Sequence, residues 1–402
     1  MITTKPASAE FFVSWRSSDA AHRDWRFFPK LEPWRDSMPG DLKERLQDSG
    51  GDLVAVELAA EEGVPDGVSP RRRGLPRTPV VNAFHRRHLH GPYEGRFYPR
   101  GVLSQISGAD TLFGQDRQPF RVLRLEPDRV EVDLGHPLGG TPLTVGGRVI
   151  EQRDSKAERG GSGNDVLAEL VESGPGMQCP PVGGRVDFEQ ADAFTREDTA
   201  PDEVFYDQPR MVQHIDARAR AFINQAYRKS IQPGDRVIDL MSSWVSHLDG
   251  TAPQTPVTGL GMNEEELKAN GRLGESLVHD LNREPRLPWS DGEFDVAVCT
   301  VSVEYLTRPH QVFDEVARVL RPGGRFVVTF SDRWFPPKVI RLWTLLHPFE
   351  RVGLVLDYFR RNGQFGELET ESWTGWPRPE DDKYTRVMLN SDPVFVVRGA
   401  RI

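Results

Sequence analysis

The 402-residue chain is poor in cysteine, in long apolar runs and in surplus basic charge. Cys179 and Cys299 are its only cysteines, and they stand far apart. They supply neither a disulfide framework nor a thiolate metal cluster, and they suggest a reducing, cytoplasmic setting. No apolar run approaches the roughly 20 residues that span a bilayer. Even Leu342 to Leu346 is soon broken by His347 and Pro348, and no apolar segment follows Met1-Ile2-Thr3-Thr4, so neither a membrane nor a secretory leader is expected. Against 60 Asp plus Glu there are 51 Lys plus Arg, a formal charge of -9. That balance repels phosphate polymers, so nucleic acid is not an expected partner.

What is present reads as globular and loop-rich, long enough for two or three domains. Composition shifts at residues 151–164, where charge and glycine replace apolar periodicity, so a linker is expected there. The expected division is a β-rich domain over 1–150, a connecting segment over 151–200 and an α/β domain over 201–402.

Before the linker, Leu53 to Leu58, Phe120 to Leu125 and Arg129 to Leu134 read as short strands, the last two separated by the turn Glu126-Pro127-Asp128. After it, helical and strand patterns alternate. Met211, Ile215, Ala219, Phe222, Ile223, Ala226 and Tyr227 recur at helical spacing, which predicts a helix over Asp207 to Ser230 with Asp207 as its cap and Pro209 in its first turn. Strands are expected at Arg236 to Leu240, Val257 to Leu260, Phe294 to Thr300 and Gly324 to Phe330, and an amphipathic helix at Pro309 to Leu320. This alternation predicts a doubly wound parallel sheet with a ligand at the carboxyl ends of its strands. The acidic segment Ala191 to Glu203 is expected to be a solvated loop.

Three stretches carry a resemblance: Leu287-Pro288-Trp289-Ser290-Asp291-Gly292-Glu293-Phe294-Asp295-Val296-Ala297-Val298, Val303-Glu304-Tyr305-Leu306, and Val319-Leu320-Arg321-Pro322-Gly323-Gly324-Arg325-Phe326. Across residues 204–335 the chain resembles class I S-adenosylmethionine-dependent methyltransferases. The resemblance implies a Rossmann-like domain, S-adenosyl-L-methionine as cofactor and a small-molecule methyl acceptor. It assigns the adenine amino group to Asp280 and apolar contact to Leu281, and it places Asp239 on the first strand and Ser302 beyond the fourth.

The sequence departs from the family pattern twice. The glycine-rich loop after the first strand is here Met241-Ser242-Ser243-Trp244-Val245, leaving Ser242 and Ser243 as its small residues. The ribose-binding acid is replaced by Gly261, so Asn263 or Glu264 is expected to reach the ribose. A rearranged cofactor site follows, with Arg210 expected to pair with the cofactor carboxylate and Tyr206 and His214 expected to line the acceptor site. The helical pattern puts Arg210 and His214, four residues apart, on one face. His214 and His247 are the candidate bases, and Tyr206 completes the candidate catalytic set. A small thiol or sulfide is the leading acceptor, because a thiolate needs no dedicated base. The aromatic residues Trp334, Phe335, Trp343, Phe349, Phe359, Trp373 and Trp376 are expected chiefly in core packing, with a lid over the acceptor as the other reading.

Residues 38–64 and 129–143, the latter reading Arg-Val-Glu-Val-Asp-Leu-Gly-His-Pro-Leu-Gly-Gly-Thr-Pro-Leu, resemble FKBP-type prolyl isomerases of the SlyD-like branch. Val64 takes the place of the usual pocket tyrosine and Asp41 follows Pro39-Gly40, so a peptide-binding or substrate-guarding module is expected more than an isomerase. His85, His88 and His90 are interrupted by Arg86 and Arg87, and no metal is expected there. The competing reading of the whole chain is a non-catalytic, chaperone-like scaffold in which both folds have lost their catalytic features.

Overall fold

The structure is a computed structural model that describes residues 5–65, 71–153, 163–172, 174–250 and 255–402. The expected linker falls largely on residues 154–162, outside the described residues. The chain divides into two units, each assembled from separate stretches. The first holds residues 1–15, 28–190 and 345–353, and the second 16–27, 191–344 and 354–402.

Strand β1 (Ala7–Arg16) lies almost wholly in the first unit, while β2 (Ala20–Leu31) gives its residues 20–27 to the second. The first unit pairs β1 with β8 (Leu143–Gln152), and β8 with β3 (Val54–Leu58), all antiparallel. Phe11, Val13, Val56, Leu58, Leu143 and Val145 point into one core, which Leu42 and Leu46 of the short helix Leu42–Asp48 cover. Between β3 and β8 the chain builds a second antiparallel sheet from β4 (Arg72–Pro76), β5 (Phe97–Pro99), β6 (Pro119–Leu125) and β7 (Arg129–Asp133), in the order β4-β7-β6-β5. Leu75, Phe84, Phe120, Val122, Val130 and Val132 form its separate core.

The second unit contains the mixed α/β sheet. From one edge its order is β11 (Glu275–Val278), β10 (Val257–Gly261), β9 (Val237–Leu240), β12 (Phe294–Thr300), β13 (Leu320–Phe330), β15 (Val394–Arg401), β14 (Phe365–Thr374) and residues 20–26 of β2. The five strands β9 to β13 run parallel, as the alternating pattern predicts. The expectation of a parallel sheet stops at β15, which is antiparallel to both β13 and β14. The chain leaves β9 for β10 and β11 on one side, then crosses back to β12 and β13 on the other. Such a reversal opens a crevice at the carboxyl ends of the central strands.

Two expectations need correction. The helix expected from Asp207 begins at Ala217 and runs to Ser230, and residues 207–216 are irregular. Asp216 is the true cap: its carboxylate accepts from Arg218 N at 2.8 Å and Ala219 N at 3.0 Å. Asp216 is fixed in turn by the distant Ser391 hydroxyl at 2.8 Å and Asp392 N at 2.6 Å. The segment 191–203 is not merely a solvated loop, because Ala193 and Asp202 are buried within it. No helix among the described residues is long and apolar enough to cross a membrane.

Candidate functional site

A cavity of about 580 Å³ opens where β9 to β12 end, a size suited to a small molecule. Its floor is Asp239, buried on β9. Ser242 Oγ donates to its carboxylate at 2.6 Å, and Ser246 also bonds it. Burial raises the carboxyl to about 6 even though both serines pull it down. Met241 follows with φ 55°, a left-handed conformation that glycine adopts most readily. The loop therefore makes the turn without the expected glycine. Ser242 N then donates to Leu260 O at 2.7 Å, drawing the loop over the end of β10.

The next wall starts at Gly261. Asn263 caps the helix Glu264–Ala269, its Oδ1 accepting from Glu266 N at 3.0 Å. Its Nδ2 donates to Tyr206 O and Asp207 O, each at 2.9 Å. Glu264 is a correction: it faces outward, pairs with Lys268 at 2.8 Å, and does not line the cavity. Glu266 lines it instead, accepting from Ser243 Oγ and from Arg210 N, each at 2.6 Å. The Glu264–Lys268 spacing of four residues marks the solvent face of this helix and is the signal that separates the two glutamates.

Beyond β11, Asp280 Oδ1 accepts from Asn282 N at 2.8 Å, and Leu281 is buried beside it. Sequence reasoning missed Asn282, whose side chain ties this turn to the rest of the wall. Its Nδ2 donates to Asp202 Oδ2 at 2.9 Å and Tyr305 O at 3.0 Å, and its Oδ1 accepts from Thr307 N at 2.8 Å. Asp202 also meets Arg196 at 2.9 Å and the fully buried Lys338 at 3.2 Å. Burial opposes its charge, but Arg196, Asn282 and Lys338 together hold its carboxyl below the ordinary value. Ser302, just past β12, donates its hydroxyl to Thr300 O at 2.8 Å.

The irregular segment 206–215 forms the remaining side. Tyr206, Arg210 and His214 all line the cavity although they share no helix. The Arg210 guanidinium lies 4.5 Å from the Phe205 ring centre and 5.5 Å from that of Phe335, and it donates to Phe205 O at 2.8 Å. Burial pushes the Tyr206 phenol up. His214 meets Phe335 edge-on at 5.1 Å. Burial lowers its pKa, Arg210, Lys383 and Arg333 lower it further, and Glu266 opposes them. His247 also lines the cavity, and burial lowers it to about 4. Trp334 and Phe335 stand on the wall, whereas Trp343, Phe359, Trp373 and Trp376 are buried in the core. Of the site residues expected from sequence, the cavity gathers Tyr206, Arg210, His214, Asp239, Ser242, Ser243, His247, Asn263, Asp280, Leu281 and Ser302, and leaves out Glu264.

These residues suit a cationic adenosyl group. Asp239 on β9, Glu266 in the helix after β10 and Asp280 just past β11 bring three carboxylates to the cavity. The model of the methyltransferase domain family matches residues 243–328. The chain is 29% identical over 106 residues to the 27-O-demethylrifamycin SV methyltransferase of Amycolatopsis mediterranei, covering 24% of this chain and 39% of that protein. It is 27% identical over 121 residues to the ubiquinone/menaquinone biosynthesis C-methyltransferase of Burkholderia mallei, covering 27% of this chain and 49% of that protein. The chain thus spans less than half the length of these relatives. Among solved structures, an S-adenosylmethionine-dependent methyltransferase from Mesorhizobium loti is 19% identical, with a TM-score of 0.31 over 46% of this chain and 98% of its own. Residues 243–328 are thus similar to a methyltransferase domain, and this likeness supports an enzyme that uses S-adenosyl-L-methionine as cofactor.

Proposed function

We propose that the whole chain acts as a methyltransferase on a small-molecule nucleophile held in the 580 Å³ cavity. The observation that carries this reading is the convergence of Asp239, Glu266 and Asp280 on one cavity at the reversal of strand order. When bound, the cofactor supplies a methyl group on a positively charged sulfur. Asp280 accepts the adenine amino group and Leu281 packs against the ring. Glu266 takes the ribose role, and Asn263 positions it by capping its helix. Arg210 meets the cofactor carboxylate, its guanidinium forming no ion pair among the described residues. Asp239, Ser242, Ser243 and Ser302 complete the cofactor wall.

Tyr206 and His214 face the acceptor, and Phe335 shields it from water. His214 takes the proton of a hydroxyl or amine acceptor, with His247 as the other neutral imidazole on the wall. A small thiol is the first acceptor to test, because its thiolate requires neither base.

For the first unit we propose a peptide-binding or substrate-guarding module of the SlyD-like kind. What supports it is the insertion of a whole four-stranded sheet between β3 and β8, two strands that pair directly. Proline-limited refolding of a reporter protein with the full chain added tests it, with little or no acceleration expected.

Calorimetry on the full chain with S-adenosylmethionine and S-adenosylhomocysteine tests the central reading. Micromolar binding is expected. Failure of both to bind at millimolar concentration overturns it and favours a non-catalytic scaffold.

A further inference from the structure

The acceptor end of the cavity differs in charge from the cofactor end. Arg333 follows β13 and Lys383 follows β14, and both line the cavity beside His214. The two cations converge on one ring: the Arg333 guanidinium carbon lies 4.8 Å from the Tyr384 ring centre and the Lys383 ammonium 5.0 Å. Tyr384 itself lines the cavity, so the pair is set at its wall rather than on a distant surface.

Neighbouring carboxylates are largely engaged by another cation, Arg378. Asp382, next to Lys383, is held by Arg378 at 3.1 Å. Asp392 approaches Arg333 only at 3.6 Å and is itself bonded to Arg378 and to the backbone of Asp216. Asp332 also stands on this wall. Among the described residues Lys383 forms no ion pair, and its side chain reaches only the tyrosine ring. Two like charges held against one ring in an acidic protein favour an anion beside them, because Lys383 gains a charge-assisted contact that the fold does not provide and Arg333 a closer one than Asp392 gives at 3.6 Å.

We propose that Arg333 and Lys383 form an anion subsite, and that the methyl acceptor is a small molecule carrying a carboxylate or phosphate group. The proposal rests on the reading of this cavity as a methyltransferase site. The anionic group docks against the two cations, which leaves the nucleophilic atom to face His214 and the cofactor wall. Tyr206, Tyr305, Phe335 and Tyr384 surround that space and suit an acceptor with an aromatic body.

The test is calorimetry on the full chain saturated with S-adenosylhomocysteine, using 4-hydroxybenzoate and phenyl phosphate as anionic probes and 4-hydroxybenzamide as the neutral one. At least one anionic probe is expected to bind about tenfold tighter than the amide, and the arm that binds tells carboxylate from phosphate. Lys383→Gln, on an exposed side chain, and Arg333→Gln are each expected to erase the preference while S-adenosylhomocysteine affinity is unchanged. Equal binding of the three probes, no binding by either anion, or a preference that survives both substitutions overturns the subsite and leaves the cofactor reading intact. Loss of S-adenosylhomocysteine binding by the unaltered chain overturns both.

Discussion

Gly261 and Ser242 are packed so closely that a Cβ at position 261 would stand 2.1 Å from the Ser242 carbonyl oxygen. The loop after β9 and the end of β10 are thereby locked together, and the Ser242 N to Leu260 O bond at 2.7 Å closes the same contact. The two departures from the family pattern are therefore one structural event. A loop without glycine swings over the neighbouring strand, and the space for an acid at 261 is consumed. Glu266, one turn further on, is the carboxylate that remains available to the cavity.

Restoring the family's acid at that position is accordingly harmful. Gly261→Asp is expected to lower stability by about 3 kcal/mol, at the upper end for overpacking, because the opposing atom is backbone and cannot rotate away. S-adenosylhomocysteine affinity should fall with it. Thermal denaturation and calorimetry check both, and a variant with unchanged melting temperature would show that the loop can yield.

How much of this was legible in the sequence follows from what each feature depends on. The strands β9, β10 and β12 are short apolar runs buried on both faces, and local composition announces them within a residue. The start of the helix at Ala217 was not legible. Met211 and Ile215 keep the helical period, and Asp207 with Pro209 imitates a cap. The actual cap, Asp216, is held by Ser391 and Asp392, about 175 positions away in the chain. The site residues on strand ends were legible for the same reason as the strands. Asn282 and Lys338 were not, since their roles exist only through partners such as Asp202 in a segment that reads as solvated.

Asp239 gives a pH signature. Its folded carboxyl, raised from 3.8 to about 6, holds a proton more tightly than the unfolded chain does. The stabilisation from that proton is complete below the unfolded value and is lost as pH rises through about 6. This group alone should therefore weaken the cofactor-free protein by on the order of 2–3 kcal/mol between acid and neutral pH. Asp239→Asn, which keeps an oxygen for Ser242, should remove that slope and be the more stable form at neutral pH. Denaturant melts of both forms at several pH values decide it, and parallel curves would refute the assignment.

Lys338 has no exposed side-chain surface, and it bonds Asp198 at 3.0 Å, Asp202 at 3.2 Å and Ala200 O at 2.7 Å. Lys338→Met leaves Asp202 buried with fewer partners, at a cost of about 3 kcal/mol. The loss should reach the cavity, because Asp202 holds Asn282 and Asn282 holds the turn of Asp280. A fall in S-adenosylhomocysteine affinity for the folded variant is expected by calorimetry. Adding Asp202→Asn should recover part of the stability, since it removes the stranded charge, and no recovery would place the damage elsewhere.

His214 separates the acceptor classes. Burial lowers its pKa from 6.5, Arg210, Lys383 and Arg333 act in the same direction, and Glu266 opposes them. Its imidazole is therefore neutral and able to accept a proton at neutral pH, and the acid limb of kcat/KM should lie below 6.5. With a hydroxyl or amine acceptor, His214→Asn should reduce kcat by roughly 10²–10⁴-fold and abolish that limb. With a thiol acceptor the same substitution should leave kcat nearly unchanged, because the nucleophile loses its proton without help. Removing one neighbouring cation by Lys383→Gln should shift the limb upward toward the ordinary histidine value. A limb that persists in His214→Asn, or that stays fixed in Lys383→Gln, would assign the titration to another group, with His247 the next to replace.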